Sequence, residues 1–172
     1  MKRSFPVILA LLTVLVVPTM IFAAGGSGFP TWSQHLTKGR FTVSPLFGGA
    51  AVFDKETGLL WEQSPDTGTF TWFNALEHCY PRNIGDRAGW RLPTIEELAS
   101  LVDTSSANPA LPAGHPFTGV TTGTYWSATS NAGTNSFKWV VSFDNGGLSA
   151  IDKTATFLAW CVRGGQGVDG VQ

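Results

Sequence analysis

The segment Gly89-Trp90-Arg91-Leu92-Pro93-Thr94-Ile95-Glu96-Glu97-Leu98 constrains the fold more than any other part of this chain. Its first residues read as a short buried strand. Pro93 has no N–H to give to a central ladder, so the strand ends there. Thr94 then offers a side-chain oxygen to the free amides of the next turn, and Glu97 stands three residues later. That is a capping box ahead of an apolar run. Ile95, Leu98, Ala99 and Val102 fall at i, i+3, i+4 and i+7, which is one helical stripe. A buried strand that turns at once into a capped helix needs a sheet to join and a core to face. Trp90, Arg91, Thr94 and Glu97 are therefore read as structural: Glu97 serves the cap, and Arg91 ties buried strand ends together through its forked donors. Arg163, at the close of the last strand, is given the same kind of role.

The rest of the chain supplies that sheet. Residues 40–43 read as a first strand. Val52-Phe53, a five-residue turn ending in Gly58, and Leu59-Leu60-Trp61 read as a hairpin. Trp72, Ala75, Leu76 and Cys79 again fall at i, i+3, i+4 and i+7, so residues 72–79 are a short amphipathic helix capped by Thr71 and stopped by Pro81. A polar loop, 81–89, carries Arg82 and Arg87. Residues 104–124 hold three prolines and no periodicity, a length of loop that is usually functional or disordered. Tyr125-Trp126-Ser127-Ala128 reads as a strand. Phe137, Trp139, Val141 and Phe143 alternate strictly and share one face of the next strand, and Asp144-Asn145-Gly146-Gly147 turns it back into residues 148–151. Residues 157–163, apolar on both faces, read as one central strand.

Composition agrees. Twelve Phe, seven Trp, 20 Gly and 10 Pro with only 13% charged residues describe a loop-rich, strand-containing domain of α+β class, not a helical bundle. The N-terminus has the layout of a secretory signal peptide: Lys2 and Arg3, an apolar stretch over residues 7–17, Pro18, then Ala23, Ala24, Gly25 and Gly26. Residues 5–24 are also long enough for a retained membrane anchor, so membrane association follows only if the segment is kept. The expected organisation is a signal peptide over 1–24, a flexible lead-in over 25–39, one domain over 40–165 and a tail over 166–172, secreted or periplasmic. Cleavage takes the basic residues from 11 to 9 against 12 acidic ones, a net of −3. A mildly acidic domain has no global attraction for nucleic acid, and none is expected as a partner.

Two cysteines, Cys79 and Cys161, stand 82 positions apart. An even count in an exported chain favours a disulfide between them. Two buried free thiols are the alternative. No CxxC and no second histidine at ligand spacing accompany them, so no metal or other cofactor is expected. His35, His78 and His115 sit in no recognisable nucleophile setting, and Ser127 lacks a Gly-x-Ser-x-Gly elbow, so no catalytic residue is assigned and the chain is read as a non-enzyme. The long loop is the better place for a binding site, with His115 in it, beside Asn108, Thr118 and Thr121, and Tyr125 at its flank. Arg82, Arg87 and Lys138 would form a basic patch if the fold brought them together. Trp61, Trp90, Trp126, Trp139 and Trp160 are mostly core by strand alternation, although exposed rings would serve as a sugar platform.

Five motifs occur in order: Asp54-x-x-Thr57-Gly58-Leu59-x-Trp61, Trp72-x-x-Ala75-Leu76-x-x-Cys79, Gly89-Trp90-Arg91-Leu92-Pro93-Thr94-x-x-Glu97-Leu98, Tyr125-Trp126-Ser127 and Cys161-Val162-Arg163. Together, over residues 40–165, they resemble the Lcl C-terminal domain family, named for a bacterial collagen-like adhesin. The resemblance implies a C-type-lectin-like arrangement with two short helices, a small mixed sheet, a long loop region and a helix-to-last-strand disulfide. It also implies an exported domain, often in surface or adhesive proteins, and through the named adhesin it implies binding of sulfated polysaccharides. The chain has no collagen-like triplets, and it lacks the Glu-Pro-Asn and Trp-Asn-Asp calcium motifs of sugar-binding C-type lectins. The expected partner is a glycan, or alternatively another exported protein held by a structural or assembly module; an undetected hydrolase or oxidase is the third and weakest alternative.

Overall fold

The computed structural model describes residues 39–165. The signal-peptide or anchor segment, residues 25–38 of the lead-in and the tail lie outside the described residues. Among those described, no helix is long and apolar enough to cross a membrane.

Two five-stranded sheets and two α-helices make up the domain. Strands β1 (Phe41–Val43), β2 (Ala51–Asp54), β3 (Leu60–Glu62), β5 (Trp90–Arg91) and β10 (Val162–Arg163) form the first sheet in the order β1-β2-β3-β10-β5. All its pairs are antiparallel. Strands β4 (Thr69–Phe70), β6 (Thr124–Ser130), β7 (Phe137–Ser142), β8 (Leu148–Asp152) and β9 (Phe157–Leu158) form the second, in the order β4-β9-β6-β7-β8, with β6 and β9 parallel. The single small mixed sheet expected from the resemblance is thus two sheets. Residues 157–163 are not one strand. They begin in the second sheet as β9, cross over at Ala159, Trp160 and Cys161, and end in the first sheet as β10.

Helix α1 (Trp72–Cys79) is capped by Thr71, whose side chain accepts from the Asn74 amide. Helix α2 (Ile95–Ala99) has the full capping box: the Thr94 hydroxyl accepts from Glu97 N at 3.3 Å, and the Glu97 carboxylate accepts from Thr94 N at 2.9 Å. The predicted stripe outlasts the helix, because Val102 remains buried in the turns that follow.

Strand alternation sorts the core into two apolar clusters on opposite faces of the sheets. Val52, Trp61, Tyr125, Val141, Trp160 and Val162 belong with α2 and the long loop. Ala51, Trp126, Val140, Ala159 and Cys161 belong with Ala75 and Cys79 of α1 and with Phe47 from a 3-10 turn at Pro45–Phe47. Because both faces are covered, β7 buries Lys138 and Val140 as well as Val141. Phe137, expected to share the buried face, is 38% exposed where the strand begins.

The long loop is ordered. Asn108 N donates to Asp144 O at 3.1 Å, Ala110 N to Phe143 O at 2.7 Å and Thr118 N to Gln63 O at 2.9 Å. Ala110, Leu111 and Phe117 face the first cluster, so the loop is a wall of the core. Cys79 and Cys161 are joined in a disulfide, with Cα atoms 5.4 Å apart, which pins the end of α1 to the crossover segment.

Candidate functional site

That disulfide positions the site. Cys161 O accepts from Glu62 N at 3.0 Å, so the last residue of β3 lies beside the half-cystine. Three residues beyond the other half-cystine, Arg82 N donates to Cys79 O at 3.1 Å. Register does the rest. Opposed residues of an antiparallel pair share a face, so Ala51 and Glu62 both project to the α1 side of the first sheet. Arg82 Nη2 and Glu62 Oε1 form an ion pair there.

The pair stands in the wall of an open cleft of about 560 Å³, which Gln63, Ser64, Pro81 and Asn83 also line. Glu62 is only 3% exposed. Its second oxygen, Oε2, and the Arg82 Nε have no hydrogen-bond partner among the described residues. Burial pulls the Arg82 guanidinium below its ordinary pKa. The floor is fixed by backbone packing: Gly85 has φ +60°, and its α-carbon lies so close to Phe47 that a Cβ would stand 2.5 Å from the Phe47 carbonyl oxygen. On the far side of β3, Gln63 Nε2 donates to Pro116 O at 3.2 Å, so the His115 loop is tied to the cleft's Gln63 corner. Tyr80, next to Pro81, holds its ring in solvent at 82% exposure.

The expected binding residues separate. Arg82 lines the cleft, and His115 lies on the adjoining loop. The His115 ring is 5.8 Å from that of Phe117, and burial lowers its pKa, partly offset by hydrogen bonding to the Phe117 backbone. Arg87 faces elsewhere, its guanidinium 5.5 Å from the Phe47 ring centroid. Tyr125 is a core residue: its ring meets Phe143 at 5.2 Å and Trp160 at 5.7 Å, and its hydroxyl donates to Thr121 O at 2.9 Å. Burial pushes its pKa up to about 12. Lys138 is 4% exposed on the second sheet, donating to Ser130 Oγ at 2.6 Å, with its ammonium 4.2 Å from the Trp72 ring centroid. The structure therefore places Tyr125 and Lys138 inside the fold, because β6 and β7 are covered on both faces. Arg82, Arg87 and Lys138 make no common basic patch.

Trp90 is buried and donates through Nε1 to Arg87 O at 2.8 Å. Arg91 reaches Glu97 and Gly164 O. Arg163 Nε donates to Ala88 O at 2.8 Å, closing the 81–89 loop onto the last strand.

Glu62, Gln63 and Asn83, which line the cleft, were not singled out by their sequence pattern. A signal for Glu62 does exist. Once Cys79 is bonded to Cys161 and β3 is paired with β10, an arginine three residues past Cys79 has to arrive near the end of β3.

No curated protein matches the chain at a significant level. The model of the Lcl C-terminal domain matches residues 50–163, more than half the chain and every strand and helix from β2 to β10, so the chain belongs to the Lcl C-terminal domain family.

Proposed function

We propose that this domain is an exported, non-enzymatic binding module whose ligand is a surface glycan, seated in the cleft at the end of β3. The cleft itself carries the reading: an open concavity with a part-buried ion pair, flanked by the amides of Gln63 and Asn83 and the hydroxyl of Ser64. Concave sites with a few convergent polar groups are where small ligands and sugar units bind. Export is supported by the signal-like N-terminus and by the disulfide. The non-enzymatic reading is supported by the use of the reactive groups. Both cysteines are spent in the disulfide, and His78 and His115 lie against the rings of Phe70 and Phe117.

The test is a broad glycan array with the oxidised protein. Saturable binding that is lost in Arg82→Ala, with the fold retained by circular dichroism, is the expected result. A folded protein that holds no glycan on the array sinks the reading.

A second reading, docking to another exported protein, rests on the exposed apolar side chains Leu46, Phe73 and Tyr80. It is favoured if one stoichiometric partner is captured in the absence of any glycan binding.

A further inference from the structure

Arg87 and Arg163 share one support. The Arg87 guanidinium carbon stands 5.5 Å from the centre of the Phe47 ring, and that of Arg163 stands 5.9 Å from the same centre. The ring is buried and meets Trp90 edge to face at 6.1 Å, so it is a fixed base. Backbone geometry sets both stems. Ile84 and Arg87 exchange main-chain hydrogen bonds at 3.2 and 3.3 Å across Gly85 and Asp86, whose φ values are +60° and +59°. That is a tight two-residue hairpin turn. Arg163 stands opposite Trp90 in the register of β10 and β5, and its Nε donates to Ala88 O.

Arg40, Arg82 and Arg91 each hold a carboxylate. Arg87 and Arg163 form no ion pair with any described residue, not even with Asp86 next to Arg87. The bond to Ala88 O uses only Nε of Arg163, which leaves its terminal nitrogens and the exposed Arg87 fork as free donors. An aromatic ring attracts a cation but does not neutralise it. Two like charges gathered at one ring repel each other, and an incoming anion relieves that repulsion. Pinning the loop needs Arg163 Nε alone and gives Arg87 no task.

The Phe47 main chain packs against Gly85, which lines the cleft, while the Phe47 ring carries the two arginines. The 81–89 loop thus turns Arg82 to the cleft at its start and Arg87 to the Phe47 ring near its end. Resting on the glycan reading above, we propose that Arg87 and Arg163 form a second subsite, which seats the oxyanion substituents, carboxylate or sulfate, of the glycan held in the cleft. Guanidinium forks meet paired oxyanion oxygens with directional, charge-assisted hydrogen bonds. The mildly acidic net charge does not prevent this, because exposed charges more than about 10 Å away are largely screened at ordinary salt.

The experiment compares dextran, carboxymethyl dextran and dextran sulfate, which share a backbone and differ in substituent, on the oxidised full chain at low and high salt. Retention of a charged form above dextran, falling with salt, is expected, and the better-held form says which oxyanion the pair reads. Arg87→Gln and Arg163→Gln should each weaken that binding about tenfold and flatten its salt dependence. Arg87 is exposed, so its variant keeps the wild-type melting temperature and stays informative even if Arg163→Gln, which gives up the bond to Ala88 O, folds poorly. Charged forms held no better than dextran, or held undiminished by both variants, overturn the inference. The glycan reading then stands if binding on the array persists and still depends on Arg82. A folded protein that holds neither charged polymer nor any glycan on the array removes both.

Discussion

Arg91 and Glu97 meet fork to fork, with Nη1 and Nη2 each 2.7 Å from a carboxylate oxygen. The same carboxylate accepts from Thr94 N to close the capping box, and Arg91 Nη2 also donates to Gly164 O at 2.6 Å. One ion pair therefore fastens β5, the start of α2 and the end of β10. Glu97→Ala removes the cap and both charge-assisted bonds, and leaves a half-buried guanidinium unpaired. A loss of about 2–4 kcal/mol is expected. Glu97→Gln, which keeps an acceptor for Thr94, should lose about half as much. Urea unfolding of the two variants gives the comparison, and equal losses would mean that the charge contributes nothing.

The disulfide closes a loop spanning 82 positions. In the chain-entropy account this stabilises the fold by about 4–5 kcal/mol, less whatever structure the reduced unfolded chain retains. Reduction, or Cys79→Ala with Cys161→Ala, should lower the urea midpoint accordingly. It should also loosen the approach of Arg82 to Glu62, since the bridge sets that approach. An unchanged midpoint under reducing conditions would show that packing around Ala75 and Trp126 holds α1 by itself.

What could be read in the sequence was local. The capping box, the stripe of α1 and the hairpin turns each depend on residues within one or two turns of each other, and each is in place. The disulfide was legible because only two cysteines exist. Pairing between distant segments was not legible. An apolar run such as 157–163 fits one buried strand as well as two short ones in different sheets, and nothing local marks the crossover at Ala159 to Cys161. Tyr125 and Lys138 were misplaced for a related reason: a residue beside a loop, or a lysine on a strand, is exposed only if nothing covers that face. Arg82 stood out as a cation in a polar loop. Its partner Glu62 needed the register of β3 against β10, which is tertiary information.

Acid should act through Asp54. Its carboxylate accepts from Arg40 Nε at 2.7 Å and Arg40 Nη2 at 2.5 Å, from the Thr57 hydroxyl at 2.7 Å and from Glu56 N at 3.0 Å. Burial alone would raise its pKa. The bonds from Arg40 and Thr57, the Arg40 charge and the Glu56 amide outweigh that and hold it below the ordinary carboxylate value. A depressed folded pKa means a contribution present in full above the unfolded value, near pH 4, and lost as pH falls through the folded one. The melting temperature should therefore fall on acidification below about pH 4. Asp54→Asn should lower stability at neutral pH and flatten that acid limb. A variant with an unchanged acid limb would assign the acid sensitivity to other carboxylates.

Gly85 and Gly114 separate backbone strain from collision at the cleft. Both have positive φ, +60° and +76°, a conformation that costs a residue with a Cβ about 1 kcal/mol. Around Gly114 a Cβ would meet nothing within 4 Å, so Gly114→Ala should lose only that amount. At Gly85 the added carbon would stand 2.5 Å from Phe47 O and 2.6 Å from Phe47 Cα, and neither backbone atom can swing away as a side chain would. Gly85→Ala must displace the 81–85 loop from the 3-10 turn, at a cost of about 2–4 kcal/mol. Because that loop carries Arg82 and Asn83, ligand binding should fall further than stability does. Calorimetry and binding measured on the two variants together check this. If Gly85→Ala lost stability with its affinity intact, the cleft would not be the binding site, because no ligand held by Arg82 tolerates the loop in a new place.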